Sequence, residues 1–154
     1  MKILAVSDSH GRDDILLDLY TMYPKMDYYL HAGDSQSVSY NIFPFDSVLG
    51  NCDYYGDFPS FRRIKTSIGD IFIKHTPGIN SKDKNGTKIF IYGHTHINEL
   101  KEIEGIIYLN PGSVSRPRDG SLGSYAIIEI KDNEAEITIY ELGTKSILKR
   151  MKLM

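Results

Sequence analysis

Seven side chains able to hold a divalent cation follow short apolar runs: Asp8 and His10 in "SDSHG", Asp34 in "AGDS", Asn51 in "GNCD", His75 in "KHTPG", and His94 and His96 in "GHTH". A carboxylate, amide and imidazole set without an obvious thiolate suits Mn²⁺, Fe, Zn²⁺, Co²⁺ or Ni²⁺. Seven donors from five loops are enough for two ions, and Mn²⁺ is the expected one. Any single strand-end His or Asp is more often a cap or a turn former. Packing does not explain seven such residues recurring as a metal-ligand set.

The elements that must position these donors are short strands. "KILAVS", "DYYLHAGD", "FDSVLGNCD", "DIFIKHTPG" and "KIFIYGHTH" each run apolar and end polar, the pattern of a buried strand with chemistry at its carboxyl end. Between the first two, Ile15, Leu16, Leu19, Tyr20 and Tyr23 recur at helical spacing. That predicts a crossover helix and hence a parallel strand pair. A weaker helix is expected over Ser37 to Phe45. Beyond Asn98 the pattern becomes hairpins, the last turning at Lys131, Asp132 and Asn133. The whole predicts an α/β chain with a β-rich second half. Loops at the carboxyl ends of strands in such sheets converge on one crevice. Side-chain alternation in extended segments predicts that Asp8 and His10 point one way together, as do His94 and His96. Gly33, Gly50 and Gly93 stand just before donors, where the backbone must turn tightly without a Cβ.

The chain of 154 residues reads as one domain over 1–154, with no repeat or linker to divide it. Eighteen basic against twenty acidic residues, in no long block of one sign, argue against an extended nucleic-acid surface and favour a small substrate. Neither a membrane span nor a signal peptide is evident, and the lone Cys52 cannot form an internal disulfide. A cytoplasmic location is the expectation. Oligomeric state is open, a homodimer being one option. His31, the fifth histidine, is expected to orient a ligand rather than to be one. Tyr54 and Tyr55 are read as packing or loop residues.

In order, "D-x-H", "GD", "GN", a strand-end His and "GHTH" resemble the calcineurin-like metallophosphoesterase superfamily, and "NPGSVSRPR" narrows the resemblance to its small bacterial and archaeal phosphodiesterase branch. The resemblance runs from Met1 to about Tyr140. It implies a four-layer α/β/β/α sandwich of two mixed sheets flanked by helices. It also implies that Asp8, His10, Asp34 and His96 hold one ion and that Asp34, Asn51, His75 and His94 hold the other, Asp34 bridging. The expected reaction is hydrolysis of a small phosphodiester by in-line attack of a metal-bridging hydroxide. Arg118 matches the arginine that relatives show after "NPGSVS" and is a candidate for phosphate contact.

Three departures qualify the resemblance. Many members place a leaving-group acid, a His, directly after the "GN" asparagine, and this chain has Cys52, a thiol and a weak donor. "HTPG" stands where branch members often show "HGH". "INSKDKNGTK" is short and polar where relatives place an amphipathic helix. Two other readings compete: a non-catalytic scaffold that binds protein partners, as in the related retromer subunit, and a phosphomonoesterase acting on nucleotides. The scaffold relative has lost the histidine that His10 matches. The missing acid His disfavours monoesters with alkyl leaving groups.

Overall fold

The computed structural model describes residues 1–54 and 57–153, so Tyr55 lies outside the described residues. Two mixed sheets enclose one core. The first runs β11 (Ile147–Leu153), β10 (Glu134–Glu141), β9 (Ser124–Lys131), β1 (Lys2–Val6), β2 (Tyr28–His31), β3 (Asp46–Ser47). The second runs β4 (Phe61–Ile64), β5 (Asp70–Lys74), β6 (Thr87–Ile91), β8 (Ile106–Asn110), β7 (Glu99–Ile103). Strands that are apolar on both faces account for the layering. In β1, Ile3 and Ala5 face the second sheet, while Leu4 and Val6 face outward to α1 (Asp13–Met22). In β5 and β6, Ile71, Ile73, Ile89 and Ile91 fill the space between the sheets, and Phe72 and Phe90 face the other side.

The expected crossover is present, with β1 and β2 parallel and joined by α1. Asp13 and Asp14 sit in its first turn, where carboxylates favour the helix dipole, and Leu16 and Leu19 bury its inner face. Pro24 follows directly and cannot continue it. Both expected hairpins form, β7 with β8 and β9 with β10. Their two-residue turns carry positive φ at Glu104, Gly105 and Asp132, the twist that hairpin turns need.

The expected helix over Ser37 to Phe45 is a correction: only a 3₁₀ turn, Ser39–Ile42, forms. Pro44 pushes Phe43 out of the helical region, and nothing on this stretch makes an apolar stripe longer than Ile42 and Phe45. Two strands were not anticipated. β4 and β11 are edge strands, exposed or half-buried except at Ile64, so neither carries a buried run. The outer layer on the second sheet is slight. The segment there forms α2 (Ser81–Lys84), one turn with no buried residue, capped by the Asn80 side chain on the Asp83 N–H. The aromatic face beneath it covers itself, Phe72, Phe90, Tyr92 and Tyr108 packing ring against ring.

Candidate metal centre

All seven candidate donors lie in loops directly after strands, following β1, β2 and β3 of the first sheet and β5 and β6 of the second. The two sheets thus meet at a single rim that both supply. Two donor groups form there. In one, Asp8 Oδ1 faces His96 Nε2 at 3.3 Å and His10 Nε2 at 3.8 Å, and the two imidazole nitrogens stand 3.2 Å apart. In the other, His75 Nε2 lies 2.8 Å from Asn51 Oδ1, 3.1 Å from Asp34 Oδ2 and 3.3 Å from His94 Nδ1. An Asp34 oxygen also comes within 4.8 Å of His10 and of Cys52 Sγ, so this carboxylate stands between the groups.

Proton bookkeeping shows what the groups lack. Carbonyls of Arg116 and Ala32 accept from Nδ1–H of His96 and His75, and the Gln36 Oε1 accepts from Nδ1–H of His10. Each of these three imidazoles therefore presents a bare lone pair at Nε2. The lone pairs of His10 and His96 face each other and Asp8 Oδ1, all acceptors, and that of His75 faces Asp34 Oδ2 and Asn51 Oδ1, with His94 Nδ1 alone free to carry a proton. Asp8 Oδ1, fully buried, has no hydrogen-bond partner among the described residues. An array of facing acceptors is repulsive unless a cation sits among them. Divalent metal fits this donor set, and the residues are present to hold it.

Electrostatics agree. Burial works to raise the Asp34 carboxyl, but the His75 imidazole, the Cys52 N–H at 2.8 Å and nearby His10 outweigh it and hold the group at about 2. Burial likewise works against charge on His75, yet Asp34, Asp8 and the Ala32 carbonyl raise its pKa above the ordinary value. Both shifts mark a place that favours positive charge. Exposure is graded across the rim: Asp8, Asp34, His75 and His96 are buried, whereas Asn51 and His94 open to solvent. The second group is thus the side of the centre that faces solvent.

Asp8 and His10 meet in one group as expected, but the expectation that His94 and His96 share a direction is corrected, and strand alternation aims neither pair. All four have left-handed backbones, with φ between 47° and 72°, as do Asp34 and Gln36. His94 turns to His75 and His96 to Asp8, in separate groups. Left-handed non-glycine residues are uncommon and collect at functional sites. The glycines act mainly by close approach. A Cβ on Gly50 would stand 2.1 Å from Asp34 Oδ1, and one on Gly93 would stand 2.0 Å from Ser7 Oγ and 2.5 Å from Asp8 Oδ2. Only Gly33 of the three also needs positive φ.

Several residues that position the donors were not singled out from sequence. Asp53 accepts the N–H groups of Asp34, Gly50 and Gln36, tying two donor loops together. Ser113 and Ser115 hydroxyls donate to the Asp8 carbonyl, and the Asn110 amide donates to the Gly93 carbonyl and Thr95. A cluster of small polar residues after an apolar strand, "NPGSVS", was the available signal. His31 stands apart from the donors and hydrogen-bonds none of them, but it ties together residues flanking Asp34 and Asp8. Fully buried, it accepts the Gly33 N–H at Nδ1, and so its Nε2–H donates to Ser9 Oγ at 2.8 Å. Burial, reinforced by nearby His75, lowers its pKa to about 3.

The auxiliary candidates fare differently. Cys52 is half-buried beside Asp34 and His10, and burial followed by the Asp34 carboxylate raises its thiol pKa. Arg118 is exposed; its N–H donates to the His96 carbonyl, and its guanidinium has no hydrogen bond or ion pair among the described residues. Tyr54 is 83% exposed, a loop residue rather than a packing one. No described helix is long and apolar enough to cross a membrane.

Comparison with known proteins gives the same picture. The chain is 29% identical over 160 residues to the probable metallophosphoesterase YsnB of Bacillus subtilis, covering 96% of this chain and 95% of that one. It is 28% identical over 123 residues to the phosphodiesterase YfcE of Escherichia coli K12, covering 70% and 62%. A Streptococcus pneumoniae TIGR4 protein described as a predicted phosphoesterase superposes with a TM-score of 0.83 at 25% identity, over 98% and 97% of the two chains. The model of the calcineurin-like phosphoesterase superfamily domain matches residues 1–133, the span that carries all seven donors. With two sheets meeting at a rim of metal-type ligands, this chain belongs to the calcineurin-like phosphoesterase superfamily.

Proposed function

We infer that the protein is a metal-dependent phosphodiesterase, hydrolysing a small phosphodiester at two divalent ions, with Mn²⁺ the working metal. One observation carries this reading: two groups of metal-type donors, with acceptor facing acceptor in each, stand on either side of Asp34. Asp8, His10 and His96 would hold one ion, Asn51, His75 and His94 the other, and Asp34 would touch both. When bound, the ions lower the pKa of a shared water and offset charge on the phosphoryl oxygens. The protein's part is positional. Gln36, Arg116 and Ala32 hold the imidazole tautomers, and Asp53 and Cys52 N–H fix Asp34.

Diesters are favoured over alkyl monoesters because the position after Asn51, where relatives keep a histidine acid, holds no imidazole to protonate the leaving oxygen. The residue there is Cys52, whose raised pKa keeps it a weak donor. His10, in place against Asp8 and His96, favours an enzyme over a scaffold. The test is a panel of model mono- and diesters with Mn²⁺, Zn²⁺, Co²⁺ and Ni²⁺, together with metal analysis. Near two ions per chain, and diesterase activity lost to chelator and restored by Mn²⁺, are expected. Full activity in excess chelator, or a preference for alkyl monoesters, refutes the reading.

A further inference from the structure

The centre opens on one side into a groove of 480 Å³ that the catalytic residues do not fill. Asn51 and His75 form its inner wall, and Leu49, Phe61, Phe72 and Lys74 line its course over the outer face of the second sheet. That face is accessible because α2 is one turn long with no buried residue. Phe61 and Lys74 are directly paired across β4 and β5, so they project to the same side. Phe61 stacks on Phe72 with ring centroids 5.5 Å apart and planes 24° from parallel. Phe61 remains 52% exposed, with Phe72 nearly buried beneath it. An exposed ring backed by a buried one is a platform on which a further flat group can stack.

Charge narrows the occupant. Among the described lining residues Lys74 is the one amine and Asp83 the one carboxylate, so the groove has no net preference for an anion. Leu49, Phe61 and Phe72 favour an uncharged planar group, and the two charged groups can serve hydrogen-bonding atoms on its edge. Direction narrows it again. Cys52 groups with His10 and Asp34, and is not part of the groove. With the leaving oxygen departing toward position 52, where relatives keep their acid, the arm that leads into the groove would be the retained one.

Resting on the phosphodiesterase reading above, we propose that this groove selects the substrate: the retained arm of the diester carries a neutral planar ring, as in a nucleoside, which stacks on Phe61 beside Asn51 and His75. The test keeps the leaving group constant. With Mn²⁺-loaded protein, kcat/KM is compared for thymidine 5′-(p-nitrophenyl) phosphate and methyl p-nitrophenyl phosphate, in wild type, Phe61→Ala and Phe61→Tyr. Phe61→Ala should lower the thymidine ester about tenfold, mainly through KM, and leave the methyl ester unchanged. Phe61→Tyr, which keeps the ring, should preserve the preference. In parallel, binding of thymidine 5′-monophosphate and methyl phosphate is measured by calorimetry. Hydrolysis of both esters at equal efficiency, or an equal loss on both in Phe61→Ala, overturns the groove and leaves the phosphodiesterase standing. With neither ester hydrolysed, thymidine 5′-monophosphate binding that falls in Phe61→Ala sustains the groove and removes the phosphodiesterase. Binding indifferent to Phe61 overturns the groove.

Discussion

His31 offers a measurable test of how the donor loops are held. Its Nδ1 accepts the Gly33 N–H, so a proton added there would set two donors face to face. Burial is complete, and the folded pKa is lowered to about 3 from 6.5. The folded chain therefore refuses a proton that the unfolded chain takes up below pH 6.5, and stability falls as pH drops through that window toward 3. At about 1.4 kcal/mol per pH unit, moving from about pH 7.5 to about pH 5 costs about 2 kcal/mol through this residue alone. That is a sizeable part of a typical domain's stability of about 5–15 kcal/mol. Urea unfolding in excess chelator, so that bound metal adds nothing, reads it as a midpoint shift of about 1 M. His31→Asn keeps an acceptor toward Gly33 and removes the titration. It will be less stable at both pH values, but its loss between them should be smaller than that of wild type by about 2 kcal/mol. Equal losses in the two proteins would show that His31 ionises in the fold, and the positioning argument would fail with it.

Asp34→Asn, which removes charge from between both donor groups, should lower metal content and cost more than about 100-fold in activity, well beyond the loss in His31→Gln; equal losses would mean that the ligands are misassigned. Gln36→Ala frees the His10 tautomer and should weaken metal affinity about 10- to 100-fold by calorimetry, with the fold unchanged by circular dichroism. Unchanged affinity would remove Gln36 from the centre. Cys52→Ala should alter hydrolysis of nitrophenyl and alkyl esters little and together, since a thiol with raised pKa donates weakly. A selective loss on the alkyl ester, with metal content intact, would make Cys52 the acid.

What the sequence alone determined is local. Short apolar runs such as "KILAV" and "KIFIY", each closed by polar residues, read as strands buried on both faces, and a donor at the end of such a strand lies at the sheet's rim. Seven donors and the α1 crossover were legible for that reason. So was the weak outer layer, since "INSKDKNGTK" has no apolar stripe to dock a helix.

The remainder depended on contacts between residues far apart in the chain. β4 and β11 are edges whose half-exposed side chains carry no periodic signal, and pairing with β5 and β10 makes them strands. Spacing predicted one direction for His94 and His96. Left-handed turns, held by Asn110 on the Gly93 carbonyl and by the Arg116 carbonyl on His96, send them to different donor groups instead. Asp53 joins three backbone N–H groups, and Gln36 reaches His10 across 26 residues, links that no local pattern announces. Residue type and strand position settle which atoms can bind metal. Which of them face one another is set by the packing of one sheet on the other, and that exists only once the Ile-rich core between them has closed.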